Sequence, residues 1–217
     1  MSIKIADMQV DYVDHLGGDI NVVNAARCSF AKEVKEFDLE KDTKLINYLA
    51  KHNHFTPLCH TSVTIRVKAP IFMARQFVKH QIGLVWNEES RRYIDDEPEF
   101  YIPKELRGRP VNAKQGSSGV LESSELFTDM IVAESSRCLD LYKRLLEGSV
   151  APEQCRMALP QNTMTNWMWT GSLVAFARVV KLRTDSHAQQ EAQELAKLIN
   201  DVVAPLYPVS WKALMDN

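Results

Sequence analysis

Cysteine is scarce in this chain of 217 residues: Cys28, Cys59, Cys138 and Cys155 stand far apart, with no C-x-x-C among them. That spacing offers neither a disulfide framework nor a zinc ribbon, and reduced thiols are expected. Charge of one sign is also missing. The 26 Lys and Arg residues nearly balance 28 Asp and Glu, for a formal net charge of -2. Bulk attraction to nucleic acid or to an anionic membrane is therefore not expected, and any site for a polyanion must be local. No apolar run approaches the roughly 18 residues of a membrane span. The segment Met1-Ser2-Ile3-Lys4-Ile5 lacks a signal-peptide pattern, so a cytoplasmic protein is expected. Internal repeats and low-complexity tracts are absent as well.

What is present describes an ordinary globular protein: 45% hydrophobic and 25% charged residues. The length suits one domain, 1–217, with a substantial core. Alternation over residues 3–10 predicts an outer strand. Gly17-Gly18-Asp19 turns the chain into a helix from about Ile20 that ends near residues 27–30. A second helix buries Leu45, Ile46 and Leu49. Residues 61–68 alternate cleanly, with Val63, Ile65 and Val67 on one face of a half-buried antiparallel strand. Residues 104–119, rich in Gly and Ser, read as a mobile loop and a possible lid over a ligand. Residues 121–147 read as a helix with Leu126, Met130, Leu141 and Leu145 among its apolar positions. Trp167 and Trp169, two apart, cannot share a helical face; core packing competes with one of them facing a partner or cofactor. Ser186 and Gln189 fit a capping box for a helix ending at Pro205. Residues 208–217 read as a short tail.

The organising stretch is 70–93. Pro70 suits a first helical turn and Gly83 a stop, with Ile71, Ala74, Val78 and Ile82 as one apolar stripe. Arg75, Gln76, Lys79 and His80 form the opposite stripe. Asn87-Glu88-Glu89-Ser90-Arg91-Arg92-Tyr93 then supplies donors, a hydroxyl and a ring. Guanidinium forks and a hydroxyl suit a phosphate monoester, and amides or carboxylates can read a base or sugar. Read alone, this is equally a solvated helix face followed by a charged loop. His52, His54, Cys59 and His60 crowd one loop, but no fourth ligand has a zinc-like spacing.

Arg75-Gln76-Phe77-Val78-Lys79-His80-Gln81 followed by Ser90-Arg91-Arg92-Tyr93 resembles the signature of the flavin-dependent thymidylate synthases. That signature is Arg-His-Arg, seven residues, Ser, and shortly Arg-Tyr. Here the triplet is Lys79-His80-Gln81, and eight residues separate it from Ser90. His54-x-Thr56-Pro57, Glu99-Phe100-Tyr101-Ile102-Pro103, the Arg156 segment and Leu182-Arg183 with His187-Ala188-Gln189 resemble further family motifs in the same order. The resemblance implies an α+β fold, long helices on a mostly antiparallel sheet like that of the thymidylate synthase-complementing proteins, assembled as a homotetramer with active sites between subunits.

The activity implied is reductive methylation of dUMP to dTMP. 5,10-Methylenetetrahydrofolate would supply the carbon, and FAD reduced by NADPH the hydride. The family carries dUMP binding to Gln76, Glu88, Ser90, Arg91, Arg92, Arg156 and Arg183. Of these, Ser90, Arg92 and Arg156 would hold the phosphate, and Arg183 would contact the pyrimidine. Arg183 and Ser90 are the catalytic candidates, with Ser90 a positioning group rather than a nucleophile. FAD binding falls to Ser29, His54, Thr56, Lys79, His80, Gln81 and Arg178. Departures gather on the flavin side: Lys79, Gln81, and Cys59 where the family commonly has Glu, besides Ser172, Val174 and Arg178. A nucleotide-binding paralogue with weakened flavin chemistry, or a related pyrimidine C5 modification such as hydroxymethylation, is the alternative. Neither a metal nor a nucleic acid is expected.

Overall fold

The computed structural model describes residues 2–94, 96–111 and 116–217. The chain opens with two strands where one was expected. β1 (Lys4–Ile5) pairs in parallel with β5 (Glu99–Phe100), and Ala6 N–H donates to the Phe100 carbonyl at 3.0 Å. β2 (Gln9–Leu16) joins a different partner, β3 (Ser62–Pro70), with a bulge between Tyr12 and Asp14. The break follows from the backbone seeking two edges in succession, which side-chain alternation cannot reveal.

After Gly17, whose φ is 78°, α1 (Asp19–Arg27) leads to α2 (Leu39–Lys51), capped by the Asp38 carboxylate on Glu40 and Lys41 N–H. β3 then alternates as its sequence predicts, burying Val63, Ile65, Val67 and Ala69. α3 (Ile71–Phe77) is shorter than expected. The helix stops before Val78, and Gly83, with φ 75°, turns the chain into β4 (Leu84–Glu88), so residues 84–88 are sheet. Ile82, placed by periodicity on the buried stripe, is 74% exposed. The buried face is Met73, Ala74 and Phe77.

β6 (Met164–Ser172) lies between β3 and β4, completing a four-stranded antiparallel sheet of order β2-β3-β6-β4. Trp167 and Trp169 are therefore on a strand, where residues two apart share a face. Both are buried, and Trp86 stacks on Trp167 with centroids 4.2 Å apart. The reading that turns one of them toward a partner or cofactor thus gives way to core packing for both. Close approach of β4 to β6 depends on Gly171: a Cβ there would lie 2.4 Å from the Leu84 side chain and 2.7 Å from the Gly83 carbonyl oxygen.

α4 (Ser124–Glu147) turns Ser135, Leu139 and Tyr142 inward onto Phe100 and Cys155. Leu145 packs against that cluster as expected, but Leu126, Met130 and Leu141 face outward. α5 (Pro152–Cys155) begins at its proline. α6 (Leu173–Arg183), capped by the Ser172 hydroxyl on Ala175 N–H, and α7 (Gln190–Val203) complete the main core with Leu195 and Ile199. No capping box precedes α7; Asp185 instead accepts from His187 N–H at 2.8 Å, and the Gln189 amide donates to Glu191. The expected tail is a helix, α8 (Pro208–Asp216). Asp19 accepts from Val209 and Ser210 N–H at 2.9 and 2.8 Å, and Trp211 is buried. A distant carboxylate caps this helix, so local sequence could not announce it.

The loop expected at 104–119 is tied at its base. Gly108 N–H donates to the Gly119 carbonyl, Ser118 N–H to Gly108, and Leu121 N–H to Leu106, at 2.9–3.0 Å. The central part of the expected lid, 112–115, lies outside the described residues. Among the described residues no helix is long and apolar enough to cross a membrane.

Candidate functional site

Two cavities gather the residues expected to bind a nucleotide, Arg92 excepted. The first, about 620 Å³, lies between α3, the end of β4 and the segment after α5. Glu88, Ser90, Arg91 and Arg156 line it, together with Arg75, Gln161, Thr163 and Thr165. Glu88 enters by strand alternation: it pairs in register with Trp167, on the sheet face that buries the tryptophans. Arg91 Nη1 donates to the Asp96 carbonyl, leaving its Nε buried and unpartnered among the described residues. Arg156 projects from the turn that ends α5, where its Nε donates to the Glu153 carbonyl at 3.2 Å. Arg92 is exposed and bends back: its Nε donates to the Ser90 hydroxyl at 3.2 Å and its guanidinium lies 4.8 Å from the Tyr93 ring. Of the neighbours Arg91 and Arg92, it is therefore Arg91 whose guanidinium lines this cavity, with those of Arg75 and Arg156.

The second cavity, about 530 Å³, holds Gln76 and Arg183 with Arg107, Ser117, His187, Gln189 and Glu191. Gln76 Oε1 is buried without a partner among the described residues. Arg183 is half-buried; its Nε donates to His80 Nε2 at 2.9 Å, and it lies over the Phe77 ring at 5.6 Å. A guanidinium can only donate, so His80 Nε2 is the acceptor and its proton sits on Nδ1. Burial, then the Arg183 and Arg178 charges, pull the His80 pKa down to about 4. Burial also lowers that of Arg183.

Arg107 went unnoticed in the sequence. Its Nε donates to Ser117 Oγ at 2.9 Å and its Nη2 to Glu191 Oε1 at 2.5 Å, fastening the loop base to α7. Burial works to raise the Glu191 pKa and is the largest single influence, yet the hydrogen bonds from Arg107, its own backbone and Gln189 outweigh it, and the carboxyl stays below its usual value.

The remaining residues form a third, open group. Ser29 sits exposed in the short turn Cys28–Phe30, and His54 and Thr56 are exposed beside the turn Pro57–His60. α1 and α6 both pack on that second turn. Arg178, exposed on α6, lines a cavity of about 380 Å³ with Leu49, Phe55, Leu58 and Lys181. Lys79, Gln81 and Cys59 are exposed. Only His80 of the Lys79-His80-Gln81 triplet turns inward. Among the described residues no three His, Cys, Asp or Glu side chains gather closely enough to hold a metal ion. In one copy of the chain, then, Ser90, Arg91 and Arg156 share a cavity, Gln76 and Arg183 share another, and the third group stays on the surface. Thr165 escaped the sequence reading because the strand that brings it in, β6, was not recognised as a strand.

Residues 11–209 match the model of the thymidylate synthase complementing protein family. The chain is 38% identical over 218 residues to the flavin-dependent thymidylate synthase of Thermosipho africanus, covering 99% of this chain and 94% of that one. It is 38% identical over 216 residues to the enzyme of the same description from Thermotoga neapolitana, with the same coverage of 99% and 94%. Its fold matches the crystal structure of PolB from Streptomyces cacaoi, a UMP/dUMP methylase bound with 5-Br dUMP. That match has a TM-score of 0.88 at 29% identity and covers 100% of this chain and 97% of that one.

Proposed function

Because the chain belongs to the flavin-dependent thymidylate synthase family, of the thymidylate synthase complementing proteins, we propose that it converts dUMP to dTMP with 5,10-methylenetetrahydrofolate as carbon donor and NADPH-reduced FAD as hydride source. The observation that supports this most is the first cavity, where Ser90 and Arg91, just after β4, meet Arg156, just after α5, beside Glu88 and Glu89. The guanidinium groups of Arg75, Arg91 and Arg156 and the Ser90 hydroxyl around one space suit a phosphate monoester through charge-assisted hydrogen bonds. Arg92, resting on Ser90, is near enough in sequence to swing to the same phosphate.

Arg183 has the second role. Its Nε is spent on His80 and its Nη2 donates to the Gln76 backbone carbonyl at 3.4 Å, so the fork is held at a fixed angle with the other N–H groups turned to a pyrimidine. A half-desolvated cation there stabilises negative charge as C5 becomes nucleophilic. Neutral His80 is what makes that grip possible, because an imidazolium would turn a donor toward a donor. Gln76, with an unpartnered carbonyl oxygen beside Arg183, has an acceptor free for a ring N–H. Ser90 positions rather than attacks, since its hydroxyl is engaged by Arg92 and no His–Asp arrangement activates it.

The open group fits a flavin dinucleotide. Lys79 and Arg178 offer cations for a pyrophosphate, Ser29 and Thr56 offer hydroxyls, and His54 with Phe55 offers rings. The bound flavin supplies the hydride; the chain's residues only hold it. The separation of Arg183 from Ser90 in one copy, and the exposure of these flavin candidates, are accounted for by a site completed between subunits of a homotetramer. Leu126, Phe127 and Met130 on the outer side of α4 are apolar surface such an assembly would cover. The exposed Lys79, Gln81 and Cys59 favour, as the second reading, a nucleotide-binding paralogue with weak flavin chemistry.

The purified protein should absorb near about 450 nm, bleach with NADPH, and release dTMP from dUMP only when methylenetetrahydrofolate is present. A colourless protein that still binds dUMP would select the second reading. A hydroxymethylated product would move the reaction to another C5 modification, and turnover of UMP would widen the substrate class toward that of PolB.

A further inference from the structure

The first cavity contains a carboxylate held in an unusual way. Glu88 ends an edge strand opposite Trp167, exposed at the cavity rim, and among the described residues it makes no ion pair. Each of its oxygens instead receives one neutral donor. Thr165 Oγ1 lies 2.9 Å from Oε1, and Trp86 Nε1 lies 3.2 Å from Oε2. An ionised carboxylate only accepts, so the threonine hydroxyl donates. Both donors are themselves fixed. Thr165 is 5% exposed near the start of the interior strand β6, and Trp86 is stacked on Trp167 at an interplanar angle of 20°. A glutamate on the rim of an open cavity would ordinarily sample several rotamers; this one is clamped, with lone pairs left over toward the space that Ser90, Arg91 and Arg156 also line.

Resting on the reading of that cavity as a nucleotide site, we infer that Thr165 and Trp86 are positioning residues that present Glu88 as a preset acceptor to the 3′-hydroxyl of the bound nucleotide. dUMP carries few donors: the 3′-hydroxyl and the uracil N3–H. The base belongs with Arg183 and Gln76 in the other cavity. The sugar is joined to the phosphate, and Glu88 lies two residues, or about 7 Å of extended chain, from Ser90. Fixing the acceptor before binding avoids the ordering cost at the moment of binding and so appears as affinity.

The test is a binding cycle by calorimetry with dUMP and with 2′,3′-dideoxyuridine 5′-monophosphate, on the flavin-loaded protein. Thr165→Val should weaken dUMP binding by about fivefold to tenfold, Thr165→Ser should restore it, and flavin content and kcat should stay within about twofold. The dideoxy nucleotide should bind the wild type and Thr165→Val equally. Adding Thr165→Val to Glu88→Gln should cost nothing further. Equal weakening toward both nucleotides, or undiminished dUMP affinity in Thr165→Val, would overturn the positioning role while the proposed function stood. A wild-type protein that binds neither nucleotide would overturn the proposed function and this inference with it.

Discussion

The first cavity and the open group around Ser29, His54, Thr56 and Arg178 were assigned by the same kind of sequence motif, yet they differ in how far one chain completes them. The cavity is walled by a strand ladder and a proline-started turn. Glu89 N–H donates to the Asn166 carbonyl at 2.9 Å, so β4 stays paired up to the doorstep of Ser90. The open group lies on short turns with its side chains in solvent. Backbone pairing prearranges the first; the second rests on short turns whose exposed side chains no such ladder holds. Of the sequence departures from the family pattern, Lys79, Gln81, Cys59 and Arg178 are exposed, whereas Ser172 and Val174 are partly buried where α6 begins.

Three substitutions or titrations test this contrast. The largest effect is expected from Arg183→Ala, which removes the charge between the two regions. Turnover should fall by about 10²–10³-fold with the melting temperature nearly unchanged. Loss of flavin absorbance in the same variant would break the contrast, because the two regions would then be one. Arg156→Ala should weaken dUMP binding by about 1.5–3 kcal/mol, the loss of a hydrogen bond to a charged group, and leave the visible spectrum as it was. Unaltered dUMP affinity would take Arg156 out of the cavity's function.

The smallest effect concerns His80. Its folded pKa, about 4, lies below the ordinary value of 6.5 because of burial and then the neighbouring arginines. The folded state therefore prefers the neutral ring. Its share of stability is whole above pH 6.5 and drains as the pH falls toward about 4. Thermal melts of the wild type across that window should decline more steeply than those of His80→Gln, and the half-exposed ring keeps the difference small. Parallel curves would show that His80 titrates as a free imidazole and that Arg183 is not anchored on it.

Much of this is legible in the sequence alone, for uneven reasons. β3 announces itself because every second residue is apolar, and the order of motifs brought Ser90 and Arg156 into one cavity. The end of α3 was not legible: Ile82 keeps helical period by coincidence, while the chain leaves the helix to let Trp86 reach Trp167. Periodicity counts apolar residues and is blind to the partner that claims them. The role of Arg107 was hidden for the same reason, since Ser117 and Glu191 meet it only in three dimensions. α8 needed Asp19 from the other end of the chain.

Two bare backbone positions carry more of the chemistry than their lack of side chains suggests. With Gly171 and Gly83 touching, β4 is drawn in until Trp86 can lie flat on Trp167 and Glu88 can meet Thr165. A single methyl at 171 would act as a wedge under that strand, tilting the tryptophan, the glutamate and the serine beyond it together. Tuning this pocket by substitution therefore begins at a place where nothing points into it.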